Sequence, residues 1–187
     1  MVTTTETTDI ITKPKLDEVV QPSFKRWLKH LLLHMPASKR FFNQQDQYAI
    51  AQAVAAAEHG HVGEIQVVIE GHMPAREAYY LDTRGRAKQL FAELGVWDTE
   101  WNSGILLYLN LCERKVEIVI DRGIQHATTQ LVWDGVCQSI IKKMSQREYR
   151  PALIDGVTQI GAILDQFYAN KIEDEADELS NSPIMLN

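Results

Sequence analysis

Residues 95–124 read Gly95-Val-Trp-Asp-Thr-Glu-Trp-Asn-Ser-Gly104-Ile-Leu-Leu-Tyr-Leu-Asn110-Leu-Cys-Glu-Arg-Lys115-Val-Glu-Ile-Val-Ile120-Asp-Arg-Gly-Ile124, and two patterns in them decide the fold class. The apolar run Ile105 to Leu111 predicts a strand buried on both faces. A polar turn at Glu113-Arg114 follows, and then a strictly alternating strand, Lys115 to Asp121. The oxygen-bearing side chains bracket this hairpin: Asp98, Glu100 and Asn102 precede it and Asp121 follows it. A hairpin returns to where it began, so both clusters are expected at one edge of the sheet.

Outward toward the N-terminus, residues 75–94 predict a helix weakened by Gly85 and stopped at Gly95. Before it, Glu64 to Glu70 alternates as a strand with Ile65, Val67 and Ile69 on one face. An Ala-rich helix precedes that, capped between Asn43 and Asp46 and ending near Glu58 and Gly60. Toward the C-terminus, helices are expected over 128–144 and 151–168, with Pro151 in a first turn. A helical crossover joins the first two strands, so they should run parallel, whereas the hairpin pair is antiparallel. The expected fold is therefore α/β, a three-layer α/β/α sandwich around a small mixed sheet. Chain direction then brings Glu64 to the rim holding Asp98, Glu100, Asn102 and Asp121. The opposite edge collects Glu70, His72, Cys112 and Glu113, a poorer set.

The totals are those of one domain with tails: 187 residues, 45% hydrophobic, formal net charge −6. Residues 1–22 are polar and expected to be disordered, 23–42 form a basic leader, 43–170 the domain, and 171–187 an acidic tail with five acids between Glu173 and Glu178. In the leader, Phe24, Trp27, Leu28, Leu31 and Leu32 share one helical face, with Lys25, Arg26 and Lys29 opposite and Lys39 and Arg40 beyond. Such a helix either lies on an anionic membrane or partner surface, or docks its apolar stripe on the domain. The negative charge argues against nucleic acid. No stretch approaches the roughly 20 apolar residues of a membrane span, and the start lacks a signal-peptide pattern. Cys112 and Cys137 lie in apolar context without a pairing motif, which fits free thiols and a cytoplasmic chain.

The segments Trp97 to Tyr108 and Lys115 to Ile124, with Gly63-Glu64-Ile65, Phe91-Ala-Glu-Leu94 and Tyr149 to Gly156, resemble the TPM-domain family in motif and in order over residues 42–170. Asn102-Ser103-Gly104 stands where Asn-Asn-Gly is commoner in that family, and Pro151-Ala152 where a Gly is common. Many members are exported or membrane-anchored, features this chain does not display. The resemblance implies a Rossmann-like sandwich, metal binding in some members, and a weak acid-phosphatase activity of plant relatives. It implies no agreed activity for the bacterial members.

Carboxylates and an amide oxygen at a sheet edge suit a hard cation, Ca²⁺ or Mg²⁺. Glu64, Asp98, Glu100, Asn102 and Asp121 are the candidate ligands, with Glu64, Asn102 and Asp121 foremost. The alternatives are structural: Asn102 builds the turn before Gly104, Asp121 caps the reversal at Gly123, and Glu64 pairs with Arg122. His59, His61 and His126 fall near the same edge, as zinc or copper ligands or as solvated turn residues. For hydrolysis of a phosphomonoester, Arg122 would hold the phosphate and Asp121 would orient water beside a divalent metal. No P-loop, dinucleotide fingerprint or nucleophile elbow accompanies them. Trp97 and Trp101 flank the acidic loop, either as a recognition surface or packed on the preceding helix. The leading expectation is thus a ligand- or metal-binding interaction module with a protein, small-ligand or membrane partner, and the alternative is a low-activity metal-assisted phosphatase.

Overall fold

A computed structural model of the protein describes residues 8–10, 21–32, 41–125, 128–168 and 178–186. In chain order its elements are β1 (Thr8–Ile10), α1 (Phe24–Leu32), α2 (Gln44–Glu58), β2 (Glu64–Glu70), α3 (Ala75–Tyr80), α4 (Thr83–Glu93), β3 (Gly104–Asn110), β4 (Lys115–Ile120), α5 (Arg122–Gln125), α6 (Gln130–Ser145), α7 (Tyr149–Tyr168) and β5 (Ile184–Leu186). Lys39, Arg40, His126 and the acids Glu173 to Asp177 lie outside the described residues.

The three central strands form where the hydrophobic pattern puts them. β2 runs parallel to β3, from Glu64 opposite Gly104 to Glu70 opposite Asn110. β3 runs antiparallel to β4, with Ile105 opposite Ile120. The full order is β1-β4-β3-β2-β5. The two outer strands correct the reading of the tails: Thr8–Ile10 pairs in parallel with β4 and Ile184–Leu186 with β2. Three-residue strands carry no periodicity of their own; the partner edge selects them, and they cover edges that would otherwise offer unpaired backbone groups.

Alternation along the strands builds two cores. One face presents Ile65, Val67, Ile69, Ile105, Leu107, Val116, Ile118 and Ile120 to Ile50 and Val54 of α2, Trp133 and Cys137 of α6, and Leu153, Ile160 and Leu164 of α7. The other face presents Val68, Leu106, Tyr108 and Val119 to Ala87, Leu90 and Phe91 of α4. Helices thus cover both faces of a mixed sheet, as the order of elements predicts. The antiparallel hairpin at its centre makes Rossmann-like a loose description.

Local chemistry sets the helix ends. Asn43 and Asp46 cap α2 reciprocally, each side-chain oxygen accepting the other's backbone N–H at 2.9 and 3.0 Å. Gly60 and Gly95 carry the left-handed φ values of +93° and +70° that follow α2 and α4. The single helix expected over 75–94 is two helices, and Gly85 is not its weak point. The break is at Leu81-Asp82, where the Asp82 carboxylate accepts the Gly85 N–H at 2.7 Å and starts α4.

α1 lies on α3 in an unexpected attitude. Its polar side faces the domain: Arg26 donates to the Ala78 and Tyr79 carbonyls at the end of α3, at 2.7 and 3.3 Å. Lys29 and His30 meet Glu113 of the β3–β4 turn, each at 3.1 Å. The apolar stripe therefore faces outward, with Phe24 64%, Leu28 38%, Leu31 48% and Leu32 72% exposed. Trp27 is half-buried and stacks on Phe24 at 5.0 Å. Of the two attitudes open to the sequence, docking of the apolar stripe on the domain is not the one adopted, because a cationic fork at the carbonyl end of α3 gives the polar side its own anchor.

Candidate functional site

The predicted rim exists at the backbone level. Parallel pairing puts Glu64 beside Ser103, with Glu64 N donating to Ser103 O at 3.3 Å, and Asp121 N donates to Gly104 O at 3.0 Å. Gly123 N donates to Asn102 O at 2.9 Å, closing the loop over the end of β4. Gly104 is obligatory here, since a Cβ on it would lie 1.8 Å from the Val96 carbonyl oxygen.

The side chains on that rim divide. Glu64 is buried, and its Oε2 accepts the Leu179 N–H of the C-terminal segment at 3.2 Å. Asp98, Glu100 and Asn102 are exposed, and Asn102 has φ +52°, a turn conformation. Glu100 N donates to the Glu178 carboxylate at 3.0 Å. Asp121 is buried; Oδ1 accepts the Arg122 N–H at 2.6 Å, and Oδ2 has no hydrogen-bond partner. Burial raises the Asp121 carboxyl above its ordinary range, against the Arg122 amide and charge. The Arg122 side chain is exposed. Among the described residues, no three carboxylates of this rim bring oxygens within 4.8 Å of one another.

Of the histidines, His59 is exposed. His61 is buried, its Nδ1 accepts the Gly63 N–H at 3.0 Å, and desolvation lowers its pKa. Ser103 gives its hydroxyl to the Val62 carbonyl at 2.5 Å, so it is engaged with backbone rather than with a base. Trp97 donates to the Ala92 carbonyl at the end of α4 at 3.3 Å, and both Trp97 and Trp101 remain about half exposed.

The opposite end of the sheet is chemically richer than its sequence suggested. Glu70 accepts from Arg86 Nε and Nη2 at 3.1 and 2.8 Å, and from the Tyr108 hydroxyl at 2.5 Å. Asn110 donates to that same hydroxyl at 2.8 Å. Thr83 donates to Glu117 Oε1 at 2.5 Å, while Oε2 is buried without a hydrogen-bond partner. Burial pushes Glu117 up to about 7, against the Thr83 bond. The Tyr108 phenol is raised by burial and by the Glu70 charge, and remains protonated. The signal for this network was present: Thr83, Arg86, Ala87, Leu90 and Phe91 share one helical face, which places an Arg among core positions. A buried Arg needs a buried acid; Arg86 meets Glu70 of β2, while Glu117 of β4 takes the Thr83 hydroxyl.

Cys112, in the β3–β4 turn, is a free thiol, and burial pushes it up to about 11. Cys137 is buried in the main core and forms no disulfide.

A family model for the TPM domain matches residues 37–163. The chain belongs to the TPM domain family. The BA42 protein of the psychrophilic bacterium Bizionia argentinensis, solved by NMR, is similar in structure with a TM-score of 0.69 and 26% sequence identity, covering 81% of this chain and 99% of that one. The N-terminal domain of a P. gingivalis protein is similar with a TM-score of 0.60 and 16% identity, covering 84% of this chain and 99% of that one, a likeness of fold alone. No curated protein matches. The matched residues begin after α1, so α1 lies outside the family match.

Proposed function

We propose that this TPM-domain protein is a peripheral binding module that lays α1 against an anionic membrane surface. One observation carries the reading: α1 is fastened by its polar side, which leaves four large apolar side chains facing solvent. An apolar stripe turned outward on an anchored helix is surface awaiting a partner. Residues 24–32 contain no acid; Arg26 and Lys29 are engaged with the α3 carbonyls and Glu113, and Lys25 is the exposed cation beside the apolar stripe. Among the described residues no helix is long and apolar enough to cross a membrane.

Magnitudes rank the two contributions. Four side chains about half exposed add roughly 3–6 kcal/mol if fully buried, against about 1 kcal/mol for each cation near an anionic surface. The apolar term dominates, so salt weakens binding without abolishing it. Sedimentation with phosphatidylserine-containing vesicles tests this, with Leu28→Glu/Leu31→Glu as the comparison.

The rim is a second binding position in this proposal. A Ca²⁺ or Mg²⁺ ion taking Asp121 Oδ2, with Asn102 or water completing the shell, would stiffen the loop that carries Trp97 and Trp101. The support is the buried Asp121 oxygen without a partner. The alternative, a divalent-metal-assisted phosphatase acting through Asp121 and Arg122, has no further geometric support. It requires chelator-sensitive turnover of a generic phosphomonoester that is lost in Asp121→Ala.

A further inference from the structure

The turn end of the sheet holds a second constellation, made only by the fold. His30 comes from α1, and Cys112 and Glu113 come from the β3–β4 turn. Their ligand atoms, an imidazole nitrogen, a sulfur and a carboxylate oxygen, lie within 4.8 Å of one another. His30 is 1% exposed. Its Nδ1 accepts the Met73 N–H at 3.0 Å, which fixes the ring and turns Nε2 toward the hairpin. Nε2 is 3.1 Å from Glu113 Oε1, yet neither atom makes an aligned hydrogen bond. Lys29 occupies the other carboxylate oxygen, Oε2, at 3.1 Å. Two buried atoms of complementary ligand type, in ion-pair contact with each other, therefore face a thiol.

We propose that His30 Nε2, Cys112 Sγ and Glu113 Oε1 bind one borderline transition-metal ion of the zinc(II) class, which staples α1 to the hairpin turn. Mixed nitrogen, sulfur and carboxylate ligands suit such an ion, whereas Ca²⁺ and Mg²⁺ seek six or more oxygens. Three protein ligands leave a fourth position for water or an exogenous ligand. On binding, Cys112 releases its thiol proton to solvent and the sulfur forms the metal bond. The neutral imidazole carries its proton on Nε2 in the metal-free chain, because Nδ1 accepts from Met73. Coordination moves that proton to Nδ1, and the Met73 N–H gives up its bond. The site lies at the opposite end of β4 from Asp121 and does not depend on what the outer face of α1 binds.

Cobalt(II) titration of the reduced full-length chain tests the site, because thiolate ligation gives a sulfur-to-cobalt charge-transfer band in the near ultraviolet. The band should saturate at one equivalent, disappear when Zn²⁺ is added, and be unmoved by Ca²⁺. It should be lost in Cys112→Ser and kept in Cys137→Ala. His30→Gln should weaken binding at least about tenfold, no less than the loss seen when outer-shell partners of a metal are removed. In the unaltered chain, Zn²⁺ should also shift the Met73 amide resonance, a readout that needs no variant to fold. Absence of the band in the unaltered chain, its survival in Cys112→Ser, or displacement by Ca²⁺ would each overturn the proposal.

Discussion

Glu117 shows how one residue can give the whole molecule a pH dependence. Its folded-state pKa of about 7 stands above the ordinary value of 4.5, because the carboxyl is buried with one oxygen unpaired. The folded state holds this proton more tightly than the unfolded chain does. The resulting stability is complete below about pH 4.5 and is lost as pH rises through about 7, by on the order of 3 kcal/mol. Glu117→Gln keeps the Thr83 bond and fixes a neutral group. Its melting temperature should exceed that of the parent at pH 8 and match it near pH 5, as followed by calorimetry across that range. Gly104 makes the opposite kind of prediction. A methyl group there meets a backbone carbonyl that belongs to the rim loop and cannot simply rotate away. Gly104→Ala should cost more than about 2 kcal/mol in urea unfolding. At Asp121 the question is whether the unpaired oxygen takes a cation. Saturating Ca²⁺ at 100 times its dissociation constant should raise stability by about 2.7 kcal/mol in the parent chain, and a melt of Asp121→Asn should not move.

At the scale of elements, the central strands and most helix ends were legible in the sequence because short-range chemistry sets them. The Asn43–Asp46 cap, the stops at Gly60 and Gly95, and the hairpin all follow from residues adjacent in the chain. β1 and β5 were not legible, since a three-residue strand owes its existence to a partner edge far away in sequence. The break at Asp82 has a local signal: an Asp three residues before the Gly85 amide is a capping pattern, stronger than the helix weakening of Gly85 itself. The attitude of α1 was beyond periodicity. A helical wheel shows that Phe24, Leu28 and Leu31 share a face, but Arg26 reaching two carbonyls of α3 decides which face turns inward. That anchor predicts a local effect. Arg26→Ala should raise hydrogen exchange in 24–32 by roughly tenfold, about one to two hydrogen bonds' worth, while amides of β2 and β3 keep their protection.

At the scale of the molecule, the chain direction inferred from the hairpin and crossover holds: β2 runs with β3, and Glu64, Asn102 and Asp121 share one end of the sheet. Sharing an end is not the same as sharing a pocket. Strand alternation sends Glu64 to the face beneath the C-terminal segment, where it bonds Leu179, while Asp121 turns back to cap α5 at Arg122. The densest buried polar network sits instead at the turn end, under α4, and α1 adds His30 to that end from outside the matched TPM region. The two ends of the sheet thus have different work. The rim end holds loops, and the turn end holds α1 in place with its apolar side outward. Vesicle sedimentation at low salt tests that assignment most directly. The parent chain should pellet with anionic vesicles and Leu28→Glu/Leu31→Glu should stay in the supernatant with unchanged circular dichroism; equal partitioning of the two proteins would contradict it.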